Sequence, residues 1–232
     1  MTRILLLRHA HSVANENGIL AGRKPGISLS NRGLAQAKEL ATRLQGVTFS
    51  QIRISPLERC SATVQPLISS FEKSVLKKTT IEIDEDLVEV DYGKWTGKKL
   101  AGLSRTKDWK VVQETPSAMY FPGGEGLLDV QTRAMRALNK IARSAGTEAK
   151  LLVSHGDVIK AIVASVLGTH LDHFQKIVID PASITILDYN GRDFRVLTLN
   201  NYASPITSFI EKKSAKSANF KALLGGGAGR KN

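Results

Sequence analysis

A single cysteine among 232 residues excludes an internal disulfide and fits a reducing compartment. Cys60 falls in a run patterned like an apolar helix, which makes it a core residue rather than a reactive thiol. No window approaches the roughly 20 apolar residues of a membrane span. Met1-Thr2-Arg3 leads straight into a strand-like run instead of a signal peptide, so a cytoplasmic protein with no membrane association is expected. Acidic residues are short as well: 21 Asp and Glu face 33 Lys and Arg, a formal charge of +12. Residues 211–232, with six Lys or Arg and one Glu, hold five of those charges. The remainder is spread along the chain rather than along one helix face. That distribution argues against a dedicated nucleic-acid surface and leaves a basic pocket for a small anionic substrate. Length and a 42% apolar content suit one α/β domain or at most two small ones. Past Ile210 the composition turns to Lys, Ser, Ala and Gly, and Gly225-Gly226-Gly227-Ala228-Gly229 cannot pack, so residues 1–210 are expected to form the catalytic domain and 211–232 a flexible basic tail.

What is present starts with Ile4-Leu5-Leu6-Leu7-Arg8-His9-Ala10. An unbroken apolar run reads as a strand buried on both faces in the middle of a parallel sheet, and this one ends in a guanidinium and an imidazole, where open α/β sheets bind ligands. A long loop is expected from His11 to Leu29. Ser30 looks like an N-cap for a helix carried by Leu34, Ala37, Leu40, Ala41 and Leu44 and ending at Gly46. Gln51 to Ile54 reads as a second strand, running into a helix started by Ser55 and Pro56 with Arg59 in its first turn. Lys73 to Thr80 reads as a connector, and Ile81 to Asp84 alternates like an edge strand. Leu87 to Gly97 is a glycine- and aromatic-rich loop able to hold a carboxylate, Glu89, away from bulk water. A short helix is expected over Asp108 to Glu114, and a long amphipathic one over Leu127 to Ala145. The opening arrangement then recurs: strand Lys150 to Ser154, turn His155-Gly156-Asp157, and helix Val158 to Leu167 with Asp157 as N-cap. Two strands, Ser183 to Tyr189 and Phe194 to Leu199, close the pattern around an Asn190-Gly191 type I′ turn signal.

Three strand ends thus deliver Arg8 with His9, Arg59, and His155. Positive charge at that density is costly in a partly buried site unless an anion is present. Forked guanidiniums match a phosphoryl group and the charge that develops on it during transfer. Either His9 or His155 could accept the phosphoryl group if held neutral, and flanking arginines favour the neutral form. Glu89 is the carboxylate best placed to protonate a leaving alkoxide. No Asp/His cluster has metal-ligand spacing, so neither a metal nor another cofactor is expected.

Leu7-Arg8-His9-Ala10, Asn15, Ser55-Pro56-Leu57-Glu58-Arg59-Cys60-Ser61-Ala62-Thr63, Leu87-Val88-Glu89-Val90-Asp91-Tyr92-Gly93-Lys94-Trp95-Thr96-Gly97 and Val153-Ser154-His155-Gly156 together resemble the histidine phosphatase superfamily, in its phosphoglycerate-mutase-like branch. The resemblance runs in order from about residue 3 to 200. It implies a three-layer α/β/α sandwich with a mostly parallel central sheet. It makes His9 the phosphorylated nucleophile, Arg8, Arg59 and His155 the phosphate pocket, and Glu89 the general acid and then base. Asn15, Gly22 and the Gly156 amide become further contacts to phosphate or substrate.

Two departures stand near the nucleophile. Ala10 replaces the family's usual glycine, which would strain a left-handed backbone or else slightly narrow the pocket, and His11 stands where Glu is common, either as a cation at the pocket mouth or as an exposed loop residue. Glu125 could line the pocket or sit in the first turn of the next helix. The segment from Gly97 to Pro122 is short and has no adjacent arginine pair, which by the resemblance favours a phosphatase acting on a small phosphorylated metabolite over a mutase. The alternatives are a phosphoglycerate-mutase-type phosphotransferase and a non-catalytic phosphate- or nucleic-acid-binding protein on the same fold. The pairing of His9 with Glu89 speaks against the last, since binding alone needs neither a nucleophile nor a proton donor.

Overall fold

A computed structural model describes residues 1–204 and 206–210; the expected basic tail lies outside the described residues. Six strands, β1 (Thr2–Arg8), β2 (Phe49–Ile54), β3 (Thr80–Ile83), β4 (Ala149–Ser154), β5 (Ile184–Tyr189) and β6 (Phe194–Asn201), form one sheet in the order β3-β2-β4-β1-β5-β6. The pairings of β2 with β3, β2 with β4 and β1 with β4 are parallel, whereas β1–β5 and β5–β6 are antiparallel. The first strand therefore has a parallel neighbour on one side only, although both its faces are buried.

That double burial explains the apolar run. Leu5 and Leu7 point into a core shared with Ile52, Leu151, Val153 and Ile184. It is covered by helices α2 (Asn31–Arg43) and α3 (Glu58–Ser69). Ile4 and Leu6 point to the opposite core with Leu152 and Leu187, under α7 (Leu127–Ala142) and α8 (Gly156–Val166). The result is the expected three-layer sandwich. Shorter helices fill the connections: α1 (Val13–Glu16), α4 (Lys73–Leu76), α5 (Leu100–Leu103), α6 (Lys107–Glu114) and α9 (Thr207–Ile210). No described helix is long and apolar enough to cross a membrane.

Several local expectations change. The first loop contains α1, whose cap Ser12 accepts the Asn15 amide and exchanges a reciprocal bond with the Asn15 side chain, and the Lys73–Thr80 connector contains α4. Ser55 does not cap α3, which starts at Glu58 after Leu57; its hydroxyl is used elsewhere. Asp157 does not cap α8 either, because His155 occupies the N-cap position. The last hairpin is not a two-residue turn: residues 190–193 form the connection, with the Asn190 side chain accepting the amides of Arg192 and Asp193. That Asx arrangement competes with the I′ geometry suggested by Asn-Gly.

Ser30 caps α2 as expected, accepting the Gly33 amide at 3.2 Å. Gly33 is needed for another reason. A Cβ there would lie 1.9 Å from the His11 carbonyl oxygen, on the loop that leaves the β1 end. Alanine is favoured over glycine in a helix by about 1 kcal/mol, but forcing backbone apart costs about 1–3 kcal/mol or more. With a 1.9 Å approach to backbone the clash falls at the upper end of that range, so Gly33→Ala is expected to lower unfolding stability by about 2 kcal/mol in urea denaturation, and an unchanged midpoint would contradict this contact.

Candidate active site

β2, β4 and β1 are adjacent and parallel, so their carboxyl ends open at one edge. The ladder continues past the strands: the His9 amide donates to the Ser154 carbonyl at 2.9 Å and the Ser55 amide to the Val153 carbonyl at 2.9 Å. This brings Arg8, His9, Arg59 and His155 together as the sequence predicts. A cleft of about 380 Å³ lies above them, lined among others by Arg8, His9, Asn15, Gly22, Arg59, Glu89 and Gly156.

His9 is 4% exposed. Its Nδ1 lies 2.8 Å from the Ala10 carbonyl oxygen, a bond that only a protonated Nδ1 can donate, so in the neutral ring Nε2 carries the lone pair. Burial, then the charges of Arg59 and Arg8, hold the His9 pKa well below the usual histidine value, which keeps the ring neutral. Ala10 does not take a left-handed backbone. Its methyl packs with Leu29, Ala37 and Ala182, away from the cleft, and its amide donates to Thr63 Oγ1 at 2.8 Å. The departure from glycine is therefore absorbed by a small apolar cluster.

Arg59, 1% exposed, donates through Nη2 to the Gly22 carbonyl at 2.9 Å and to His155 Nδ1 at 3.2 Å. Arg8 donates through Nη1 to the Ile179 carbonyl. Arg59 Nε and Nη1 and Arg8 Nε are buried without a hydrogen-bond partner among the described residues. A buried donor left unmade costs about 1–3 kcal/mol, and more when charged, so three such donors on two guanidiniums that line one cleft point to an anion. The Gly156 amide, first in α8 and without an intrahelical acceptor, lines the same wall. A Cβ on Gly156 would already lie 3.4 Å from the Arg8 guanidinium carbon. Asn15 Oδ1 is taken by the Ser12 amide and hydroxyl, which leaves its Nδ2 as the donor it can offer.

His155, which the resemblance places in the phosphate pocket, is not among the cleft-lining residues and lies behind these groups. It is fully buried, with its ring centroid 5.2 Å from that of His9. Because Arg59 donates to Nδ1, the ring proton sits on Nε2 and is donated to Ser55 Oγ at 2.7 Å. Burial, with Arg59 and His9, lowers its pKa well below the usual value. Cys60 Sγ is 3.6 Å from the same Nε2, and burial pushes that thiol up to about 12, as befits a core residue.

Glu89 approaches His155 Nδ1 at 3.7 Å through Oε2, while Oε1 accepts the Val90 amide. Burial, and then the charge of Asp157, raise its pKa to about 7. The loop carrying it is held by two arginines that sequence patterning did not single out. Arg23 Nε donates to the Glu89 carbonyl at 2.9 Å, and Arg133 donates to the carbonyls of Asp86, Val88 and Glu89. Glu125 bridges the two guanidiniums and accepts the Asp91 amide, so it neither lines the cleft nor belongs to α7. Arg133 was detectable, as a charge inside the apolar stripe of Val130, Ala134 and Ala137. His11 bonds Ser30 Oγ through Nδ1 at 2.8 Å and is not among the cleft-lining residues.

Three lining features were not singled out as site residues: Tyr92, whose loop is marked by its glycines and aromatics and whose hydroxyl donates to Asp157 at 2.7 Å; Lys160; and the segment from Ile177 to Asp180. Among the described residues, no three His, Cys, Asp or Glu side chains are grouped to hold a metal ion.

With this geometry in place, comparison with known proteins gives one consistent picture. A family model described as histidine phosphatase superfamily (branch 1) matches residues 4–202. Phosphoserine phosphatase 1 of Hydrogenobacter thermophilus is 29% identical over 205 residues, 86% of this chain and 92% of the relative. The 2,3-bisphosphoglycerate-dependent phosphoglycerate mutase of Thermoplasma acidophilum is 27% identical over 215 residues, 90% of this chain and 96% of the relative. Among solved structures, Bacillus stearothermophilus YhfR superposes with a TM-score of 0.79 at 26% identity, covering 88% of this chain and 98% of its own.

Proposed function

The chain belongs to the histidine phosphatase superfamily, branch 1, and from that premise we propose that it hydrolyses phosphomonoesters of small metabolites through a phosphoryl group carried on His9. The observation that carries this reading is the His9 Nδ1 bond to the Ala10 carbonyl, which leaves a neutral imidazole with its Nε2 lone pair beside three guanidinium donors that have no partner among the described residues. A nucleophile and an anion cradle share one cleft, and a carboxyl with a pKa of about 7 lines it as well.

In the first step Nε2 of His9 forms a bond to phosphorus as the bond to the ester oxygen breaks. Glu89 in its protonated form gives its proton to the departing alkoxide, and the alcohol leaves. Arg8, Arg59 and the Gly156 amide hold the phosphoryl oxygens throughout, and charge developing there is met by donors already in place. In the second step water attacks phosphorus, Glu89 as carboxylate takes the water proton, the N–P bond breaks, and phosphate is released with His9 neutral again. His155 and Ser55 act from behind, fixing Arg59 and the wall against which His9 stands.

Hydrolysis is favoured over phosphate transfer between positions of a phosphoglycerate by the cleft's cations. Among the described residues the Lys and Arg side chains lining it are Arg8, Arg59 and Lys160, and Arg105 is not among them, so beyond the two arginines that hold the phosphoryl group no adjacent arginine pair stands ready to retain a carboxylated intermediate. Two incubations without added metal test this. An aryl phosphate should give alcohol and inorganic phosphate in equal amounts. 3-Phosphoglycerate primed with 2,3-bisphosphoglycerate should give no more 2-phosphoglycerate than a His9→Ala control. Isomerisation outpacing phosphate release overturns the reading.

A further inference from the structure

The outer part of the cleft differs in chemistry from the phosphate end. Besides the phosphate-binding groups, the cleft is lined by Ile19, Leu20 and Leu100 from one part of the chain and by Ile177 and Val178 from another. Both parts are held in place. Leu20 donates its amide to the Lys98 carbonyl, Gly97 donates to the Leu20 carbonyl, and Leu100 donates to the Gly18 carbonyl, each at 2.8–2.9 Å. The segment carrying Ile177 and Val178 is pinned by Arg8 on the Ile179 carbonyl and by Asn200 Oδ1 accepting the Asp180 amide.

Every charged side chain in this outer region already has a partner. Lys160, its only cation among the described residues, donates to Gln175 Oε1 at 3.0 Å, lies 3.5 Å from Asp157 and stands over the Phe174 ring. Asp157 also accepts from Tyr92, and Asp180 accepts from Asn200 Nδ2 at 2.7 Å. Lys98 and Lys99 do not line the cleft. A substrate carboxylate entering here gives up hydration, meets two carboxylates and finds no free cation among the described residues. An apolar body instead covers leucine, isoleucine and valine surface.

Resting on the phosphatase reading above, we propose that this site takes phosphomonoesters of uncharged alcohols with an apolar body, and that esters bearing a carboxylate near the phosphate are poor substrates. The phosphate is claimed by Arg8 and Arg59, and selection among esters falls to Leu20, Leu100, Ile177 and Val178. The preference thus departs from the phosphoserine named for one relative for a reason visible in this chain's own side chains.

Three esters test it: 2-phenylethyl phosphate, glycerol 2-phosphate and 3-phosphoglycerate. All leave as aliphatic alkoxides, so leaving-group basicity does not decide the order. The expected kcat/KM for 2-phenylethyl phosphate exceeds that for 3-phosphoglycerate by at least about tenfold, the scale of discrimination that apolar pockets supply, with glycerol 2-phosphate between them. Val178 is 60% exposed, so Val178→Lys should fold and narrow that ratio several-fold by giving a carboxylate a partner. A ratio at or below one in the wild type, or a ratio unmoved by Val178→Lys, overturns the assignment while leaving the phosphatase reading intact. Absence of His9-dependent phosphate release from all three esters overturns both.

Discussion

His9→Ala is expected to lower kcat by on the order of 10⁴ to 10⁶, as losses of a covalent nucleophile do, and to abolish any acid-labile phosphoprotein. The reason is specific to this ring. Its Nδ1 is committed to the Ala10 carbonyl and its charge is suppressed by burial and two arginines, so the ring is built to offer a lone pair and not a positive charge. The cradle survives the change, because Arg8, Arg59 and the Gly156 amide belong to other positions. Inorganic phosphate should therefore still bind the variant within about tenfold of wild type, since the charge-assisted bonds to it remain. Titration calorimetry with phosphate beside single-turnover kinetics separates the two roles. A variant that keeps kcat within tenfold of wild type would remove His9 from the chemistry.

Glu89→Gln is expected to lower kcat by about 10²–10⁴ on esters with poorly acidic alcohols, the usual worth of a positioned proton donor, and far less on a 4-nitrophenyl ester, whose leaving group needs no proton. The pH dependence follows from the raised pKa of about 7, caused by burial first and Asp157 second. Donation requires the protonated carboxyl, which is the major form below that value and is lost above it. Wild-type kcat on an alkyl ester limited by P–O cleavage should thus fall as pH rises through about 7, and the limb should vanish in Glu89→Gln. A limb that persists unchanged in the variant assigns it to another group.

Much of this architecture can be read from the chain because the signals are local. Ile4 to Leu7 is apolar at every position, as a strand covered on both sides requires, and Arg8 and His9 follow it directly. His155 follows Ser154 in the same way, and Arg59 follows β2 within one turn of α3. Adjacent parallel strands then bring these ends together without further information. What the sequence does not show is created by distance. Ser55 looks like a helix start, yet its hydroxyl meets a histidine 100 positions away. Asp157 looks like a cap, yet it receives Tyr92 and Lys160. Glu125 could be placed near the pocket but not between Arg23 and Arg133, because the three come from separate segments. The four-residue link at 190–193 shows the same limit locally, where an asparagine side chain outcompetes a two-residue turn. The cleft-lining residues Ile19, Leu20 and Leu100 and the segment from Ile177 to Asp180 have no periodic pattern, and their apolar character acquires meaning only once they line one cleft.

The most direct test of the central claim is rapid quenching of the full chain with a ³²P-labelled alkyl or aryl phosphate, followed by peptide mapping of the labelled protein. The chain has five histidines, at positions 9, 11, 155, 170 and 173, so the location of the label decides the matter. The expected result is an acid-labile, base-stable phosphoryl group on His9, bonded through Nε2, forming and decaying at rates that account for turnover. Label on His155 or His11, or steady turnover with no labelled protein at any quench time, would contradict it.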